Sequence, residues 1–377
     1  MTSFLSHCPQ HILDIPPYLA GRPVSEVMRE FGLEHSAIVK LASNENPLGM
    51  PAKARAAIVA ALSEASRYPD ANGYDMKCAL ARKYGLKTEC ITLGNGSNEI
   101  LDMMARALLQ PGQSAVYSQY SFVVYAHATQ ACGAEHIRIP TDGSMGHDLD
   151  AMLAAIKPNT RLIYIGNPNN PTGTFLDGGK IEAFLERVPS DVVVVLDEAY
   201  TEYLPDTDRY DSLRWVDRFQ NLLVTRTFSK AFGLAGLRVG FGVASVALTE
   251  LLNRMRHPFN VNVLAQAAAI AALDDEDFVT RSRELNRQGY LQLTQAFEAL
   301  GLVYVPSRGN FVMVKMGDDD DTAPRVCAAL MRRGVIVRPL ANYGLPQWLR
   351  ITIGLAQENE RFIFELRLIR QEACAAR

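Results

Sequence analysis

A strong charge of either sign is missing from this chain. Its 377 residues carry 38 Lys and Arg against 41 Asp and Glu, for a formal net charge of -3 and a pI near 6.2. No basic stripe stands out, which argues against a nucleic-acid or anionic-membrane partner. Cysteine is scarce as well. The six present (Cys8, Cys78, Cys90, Cys132, Cys327 and Cys374) form no C-x-x-C pair, which speaks against a disulfide framework and a structural zinc site. The seven histidines read as surface or packing residues, and no metal is expected. Long hydrophobic runs are lacking too, since the mainly apolar stretch 265–273 is too short to span a bilayer. The first residues, MTSFLSHCPQHILD, show no basic region followed by an apolar run, so they do not read as a secretory signal. The expectation is a soluble, cytoplasmic protein with small-molecule partners.

Hydrophobic residues make up 48% of the chain and charged ones 21%, enough to bury a large core. Short β-branched runs at 90–93, 114–117, 161–165, 192–196, 222–225 and 239–243 alternate with helical stretches such as 99–109 and 180–187. Strands apolar on both faces and separated by helices indicate a mostly parallel sheet covered on both sides, an α/β architecture. After residue 260 the rhythm changes. A long helix over 262–300 is expected, then strands at 302–306 and 311–315, a helix at 323–333, strands at 335–338 and 349–353, and a last helix from 357. This mixture suggests a smaller α+β domain. The expected division is an arm over 1–35, a large domain over 36–260 and a small C-terminal domain over 261–377.

Four segments that follow expected strands carry most of the chemistry. Gly94-Asn95-Gly96-Ser97-Asn98-Glu99 precedes a helix, where glycines and unpaired N–H groups can receive an anion. It lacks the third glycine of a dinucleotide fingerprint, which speaks against a nicotinamide enzyme. Asn167-Pro168-Asn169-Asn170-Pro171-Thr172-Gly173 is a rigid turn. Asp197-Glu198-Ala199-Tyr200 follows VVVVL, so Asp197 would be buried at a cost unless it met a cation. Ser229-Lys230, with Arg238 eight residues on, adds hydroxyl, amine and guanidinium groups. In an open α/β sheet the carboxyl ends of the strands form the ligand crevice. The four segments therefore converge.

In this order the segments resemble those of the fold-type I aminotransferases. That resemblance implies pyridoxal 5'-phosphate as cofactor, held by Lys230 as a Schiff base, with Lys230 also carrying the proton between the substrate's α-carbon and the cofactor. It implies that Asp197 pairs with the pyridine nitrogen, that Asn170 and Tyr200 bond the ring hydroxyl, and that Phe122 stacks on the ring. Gly96, Ser97, Asn98, Thr227, Ser229 and Arg238 would surround the phosphate. Lys230, Asp197 and Tyr200 are the implied catalytic residues.

Further motifs resemble the histidinol-phosphate aminotransferases within that family. They are Pro17-Tyr18 with Gly21-Arg22-Pro23, the run from Leu41 to Pro47 (LASNENP), Arg67-Tyr68-Pro69-Asp70, Asn310-Phe311, and the arginines Arg338 and Arg350. The resemblance implies Tyr18, Asn46, Asn310, Arg338 and Arg350 as substrate-binding residues. It also implies a homodimer with shared active sites, in which Tyr68 reaches the phosphate of the neighbouring subunit's cofactor. The implied reaction transfers an amino group between L-histidinol phosphate and 2-oxoglutarate, giving imidazole acetol phosphate and L-glutamate, in histidine biosynthesis. An aromatic amino-acid aminotransferase of the same subgroup and a threonine-phosphate decarboxylase are the alternatives.

Overall fold

The computed structural model describes residues 3–17 and 21–375. Among them are twelve strands: β1 (Val39–Leu41), β2 (Ile91–Gly94), β3 (Ser114–Ser118), β4 (Glu135–Ile139), β5 (Thr160–Gly166), β6 (Val193–Asp197), β7 (Leu222–Thr227), β8 (Gly240–Ala244), β9 (Tyr304–Val305), β10 (Phe311–Lys315), β11 (Val335–Leu340) and β12 (Leu345–Thr352). Seven of them form a sheet in the order β2-β8-β7-β6-β5-β3-β4, in which β8 alone runs against the rest. The chain is an α/β protein.

Alternation along the central strands feeds two layers. Leu162 and Tyr164 of β5, Val193 and Val195 of β6, and Leu223 of β7 face one core. Ile163 and Ile165, Val194 and Leu196, and Leu222 and Val224 face the other. Successive side chains of a strand point to opposite faces, so a strand buried on both sides must be apolar at every position. This is why VVVVL reads as a run without polar interruption. From β3 the chain moves outward to β4 and then returns to β5 on the other side of β3. That reversal opens a crevice at the carboxyl ends of the strands.

The second sheet has the order β1-β11-β12-β10-β9. The β11–β12, β12–β10 and β10–β9 pairs are antiparallel, whereas β1 lies parallel to β11, with Val39 opposite Val335 and Leu41 opposite Val337. Its core gathers Leu41, Val312, Val314, Leu330, Val337, Leu349, Ile351 and Phe362.

Several elements differ from the sequence reading. The helix expected over 262–300 is two helices, Val263–Leu273 and Glu276–Ala299, parted at Asp274-Asp275. The first is alanine-rich and buries Ala265, Ala268, Ala269 and Ala272 in the core of the first sheet, where it packs on the helix Ala52–Ala61. It thus lies across the expected boundary at 260. The segment of β1 lies across it from the other side, as a member of the second sheet. Strand β4 has no counterpart among the expected strands, because EHIRI is an edge strand with only Ile139 buried and so lacks a continuous apolar run. In the arm, Val27 of the helix Val24–Phe31 packs with Ala42 and Ile336 on the second sheet. The short helix Gln10–Leu13 instead meets the first unit, with Gln130 Nε2 donating to the His11 carbonyl at 3.0 Å.

Ala268 is fully buried. Ala268→Leu should lower stability by about 1–3 kcal/mol through overpacking. Thermal melting checks this, and an unchanged melting temperature would place this helix outside the first core.

Candidate active site

Three neighbouring strand ends build the floor of one cavity. Across the sheet, Gly166 of β5 stands opposite Asp197 of β6, and Asp197 stands opposite Thr225 of β7. Asp197 is buried, and each of its oxygens accepts one hydroxyl: Tyr125 donates to Oδ2 and Thr225 to Oδ1, both at 2.9 Å. One residue further along, the pleat turns the side chains to the other side. There Glu198 Oε2 accepts from Arg226 Nε at 2.9 Å in a buried ion pair. Asp197 has no such arginine. Burial pushes its carboxyl up to about 6, with Glu198 adding to the rise, whereas the Tyr125 and Thr225 bonds and Lys230 oppose it.

Lys230 follows β7, with its Nζ donating to the Ser43 carbonyl at 3.3 Å and lying 5.9 Å from the centre of the Tyr200 ring. Burial pushes its amine down to about 8, with Arg350 and Arg238 adding to the fall and Glu45 and Asp197 opposing it. The buried Tyr200 hydroxyl accepts from Asn44 Nδ2 at 3.0 Å, and its own ionisation is pushed up to about 12, mainly by burial.

An anion cradle lies at one end of the cavity. The helix Ser97–Leu108 begins after Gly96, which has φ +78° and carries no capping side chain. Its first N–H groups therefore lack intrahelical partners. Ser97 is the first helical residue rather than the cap. A Cβ on Gly96 would run into the Arg238 guanidinium, and one on Gly240 would meet the Ser97 backbone nitrogen at 2.5 Å. Both glycines therefore serve close approach. Arg238 Nη1 donates to Ser229 Oγ at 3.2 Å, and Thr227 Oγ1 accepts from the Ser229 N–H at 3.1 Å.

At the other end stand two arginines. Arg338 of β11 and Arg350 of β12 are register partners across an antiparallel pair. Arg350 is buried, donates to Asn170 Oδ1 at 2.6 Å and to the Ala42 carbonyl at 2.8 Å, and lies 5.3 Å from the centre of the Phe311 ring.

Of the residues singled out from the sequence, Ser97, Asn98, Phe122, Asn170, Asp197, Tyr200, Thr227, Ser229, Lys230, Arg238, Arg338 and Arg350 line this one cavity of about 200 Å3. Two expected substrate-facing residues do not. Asn46 is buried behind the wall, donating to the Ala231 carbonyl at 2.9 Å and to Ser282 Oγ at 2.8 Å. Asn310 donates to the Asn44 carbonyl at 3.0 Å, also from behind. Both are bound to the backbone that shapes the cavity, and Asn44 is the asparagine of the N-E-N-P run that lines it. Tyr68 also lies off this cavity, with 82% of its surface exposed and its ring stacked on Phe259 at 4.5 Å. Tyr18 lies outside the described residues. Sequence reasoning passed over Asn44, Tyr125, Thr225 and Tyr343. Tyr125 stands three residues after Phe122 at helical spacing, the one signal that could have found it. Although His7 and His11 stand four apart, no three His, Cys, Asp or Glu side chains among the described residues are grouped to hold a metal ion.

Below pH 8 the folded chain must keep a buried ammonium at Lys230, and this penalty fades as pH rises from about 8 through the ordinary 10.5. In the ligand-free protein, Lys230 should therefore react with trinitrobenzenesulfonate with a midpoint near pH 8. Peptide mass spectrometry across a pH series reads this. A midpoint above 10 would show that burial does not act on this amine.

Comparison with known proteins follows the same lines. Residues 36–365 match the family model described as aminotransferase class I and II. The chain is 61% identical over 368 residues to histidinol-phosphate aminotransferase 2 of Ralstonia nicotianae, covering 98% of both chains. It is 60% identical over 358 residues to histidinol-phosphate aminotransferase 1 of Cupriavidus pinatubonensis, covering 95% of both. Its fold superimposes on the crystal structure of histidinol-phosphate aminotransferase from Sinorhizobium meliloti in complex with pyridoxal-5'-phosphate, with a TM-score of 0.89, 27% identity and coverage of 98% of this chain and 100% of that one. A site at the carboxyl ends of a parallel sheet, the matched family model and these relatives agree, and the chain belongs to the class I and II aminotransferases.

Proposed function

We propose that this chain transfers an amino group between L-histidinol phosphate and 2-oxoglutarate, using pyridoxal 5'-phosphate. The observation that carries the reading is one cavity holding a buried carboxylate, a lysine of lowered basicity, an anion cradle and a register-paired set of arginines. Relatives that carry this activity in their names support the choice of substrate. A phosphate suits the cradle of helix N–H groups, hydroxyls and Arg238. A cationic ring nitrogen suits Asp197, whose carboxylate has only hydroxyl donors among the described residues. When bound, the cofactor supplies an electron sink for the carbanion left at the substrate's α-carbon.

The chain's own residues do the rest. Gly96, Ser97, Asn98, Thr227, Ser229 and Arg238 would hold the phosphate, and Phe122 would stack on the ring. Asn170 and Tyr200 would bond the ring hydroxyl. Lys230 Nζ would anchor the cofactor and, once its amine is free, would carry the proton between the substrate's α-carbon and the cofactor. An amine lowered to about 8 is partly unprotonated near neutral pH, as a general base requires. Arg338 and Arg350 receive the phosphate of histidinol phosphate and, in the other half-reaction, a carboxylate of 2-oxoglutarate. Tyr18 is a further substrate-binding residue in this reading. Asn46 and Asn310 act by fixing the loops beneath the arginine end of the cavity.

The working form is a homodimer with shared sites. Tyr68 does not line its own cavity and is exposed, stacked on Phe259, and it would serve the site of a second copy. A cytoplasmic location goes with this biosynthetic reading.

Lys230→Ala should abolish the visible absorbance of the bound cofactor and nearly all turnover, as spectra and a coupled glutamate assay read. With 2-oxoglutarate as acceptor, histidinol phosphate should be preferred over phenylalanine by at least tenfold in kcat/KM, and Arg338→Ala should raise KM for histidinol phosphate by roughly tenfold or more. A preference for phenylalanine would make this an aromatic aminotransferase. Mixing inactive Lys230→Ala and Tyr68→Ala subunits should restore part of the activity. No recovery in subunits that exchange would rule out a shared site.

A further inference from the structure

Asp197 owes one of its two hydrogen bonds to a tyrosine that has nowhere else to turn. Tyr125 is fully buried, and its ring stacks on Tyr164 with centroids 4.6 Å apart and planes 6° from parallel. The Tyr164 hydroxyl donates to the Leu101 carbonyl at 3.2 Å, in the helix whose start forms the anion cradle. Phe122 meets the Tyr125 ring edge-on at 5.9 Å and 88°. A Cβ on Gly166 would lie 3.0 Å from the Tyr125 hydroxyl, so the glycine at the end of β5 leaves room for that group. Stack, edge contact and strand end together aim Oη at Asp197 Oδ2, 2.9 Å away.

This hydrogen bond has a chemical consequence. A carboxylate that accepts a donor is a weaker base than the same carboxylate without one. Burial works the other way, as does Glu198 from the next residue, whereas Thr225 and Lys230 act with Tyr125. Tyr200 faces the carboxylate as a fifth group. A proton shared between Asp197 and a ring nitrogen rests on whichever is the stronger base, and electron withdrawal by the ring needs it on the nitrogen.

We propose that Tyr125 is a positioning residue for transamination, whose hydrogen bond to Asp197 keeps the shared proton on the ring nitrogen of the cofactor. The inference rests on the reading that Asp197 faces that nitrogen. Tyr125→Phe keeps the ring and its stacking and removes only the donor, so its melting temperature should stay close to that of the parent.

The test uses the holoenzyme loaded with pyridoxal phosphate carrying 15N in the ring, with Tyr125→Phe and Asp197→Asn beside the parent. The parent's ring nitrogen should resonate at the pyridinium position. In Tyr125→Phe it should be displaced toward the neutral-pyridine position, with kcat about tenfold lower or more and KM for histidinol phosphate little changed. A Tyr125→Phe resonance identical to the parent's, with Asp197→Asn displaced, overturns the role of Tyr125 and leaves the reading of Asp197 standing. If Asp197→Asn also leaves the resonance in place, the reading of Asp197 falls and the inference falls with it.

Discussion

A carboxylate buried at the end of the middle strand of a seven-stranded sheet is costly to keep charged, and the site is arranged around that cost. Its neighbours supply hydroxyls rather than cations, one to each oxygen. The next residue, Glu198, is also an acid, and it is tolerated because the strand pleat turns it toward Arg226 on the other side. A slip of one residue in register would exchange the two environments and give Asp197 the arginine. The β6–β7 pairing, fixed by apolar residues on both faces, therefore decides which carboxylate meets the ligand.

The lysine complements that carboxylate through the same burial. Low local polarity disfavours charge on both groups, so Asp197 rises and Lys230 falls, each toward neutrality. Two groups with opposite shifts in one cavity suit acid–base chemistry at ordinary pH. The positive groups Arg238 and Arg350 strengthen the fall at Lys230, so the residues suited to anion binding also tune the base.

The second sheet contributes the arginine end of the cavity, and a short loop joins it to the first unit. Residues 42–44 line the cavity just after β1 pairs with β11. Asn44 has φ +55° and is held through its backbone N–H to Thr352 Oγ1 at 2.9 Å and its carbonyl to Asn310. Asn46 then ties the same loop to Ala231, next to Lys230. Thus one stretch of chain connects substrate end, ring end and anchoring lysine.

Much of this was legible in the residues themselves. Apolar strands at the right spacing announced a covered parallel sheet, and four motifs after those strands announced a site, because chain order and strand direction already put their ends on one edge. The arginines at 338 and 350 were legible as a pair, since each sits in a β-branched run. What the residues could not state was side-chain direction behind the first wall. Asn46 and Asn310 look like ligand-facing asparagines in sequence, yet Asn46 donates to the Ala231 carbonyl and the Ser282 hydroxyl, and Asn310 to the Asn44 carbonyl. Tyr125 and Thr225 look like filler in a helix and a strand, yet both bond Asp197. Local pattern determines which element forms and which edge it ends on. Which polar group meets the cavity and which braces it depends on contacts between residues as far apart as Tyr125 and Asp197, or Asn44 and Asn310, and only the packed tertiary structure brings those together.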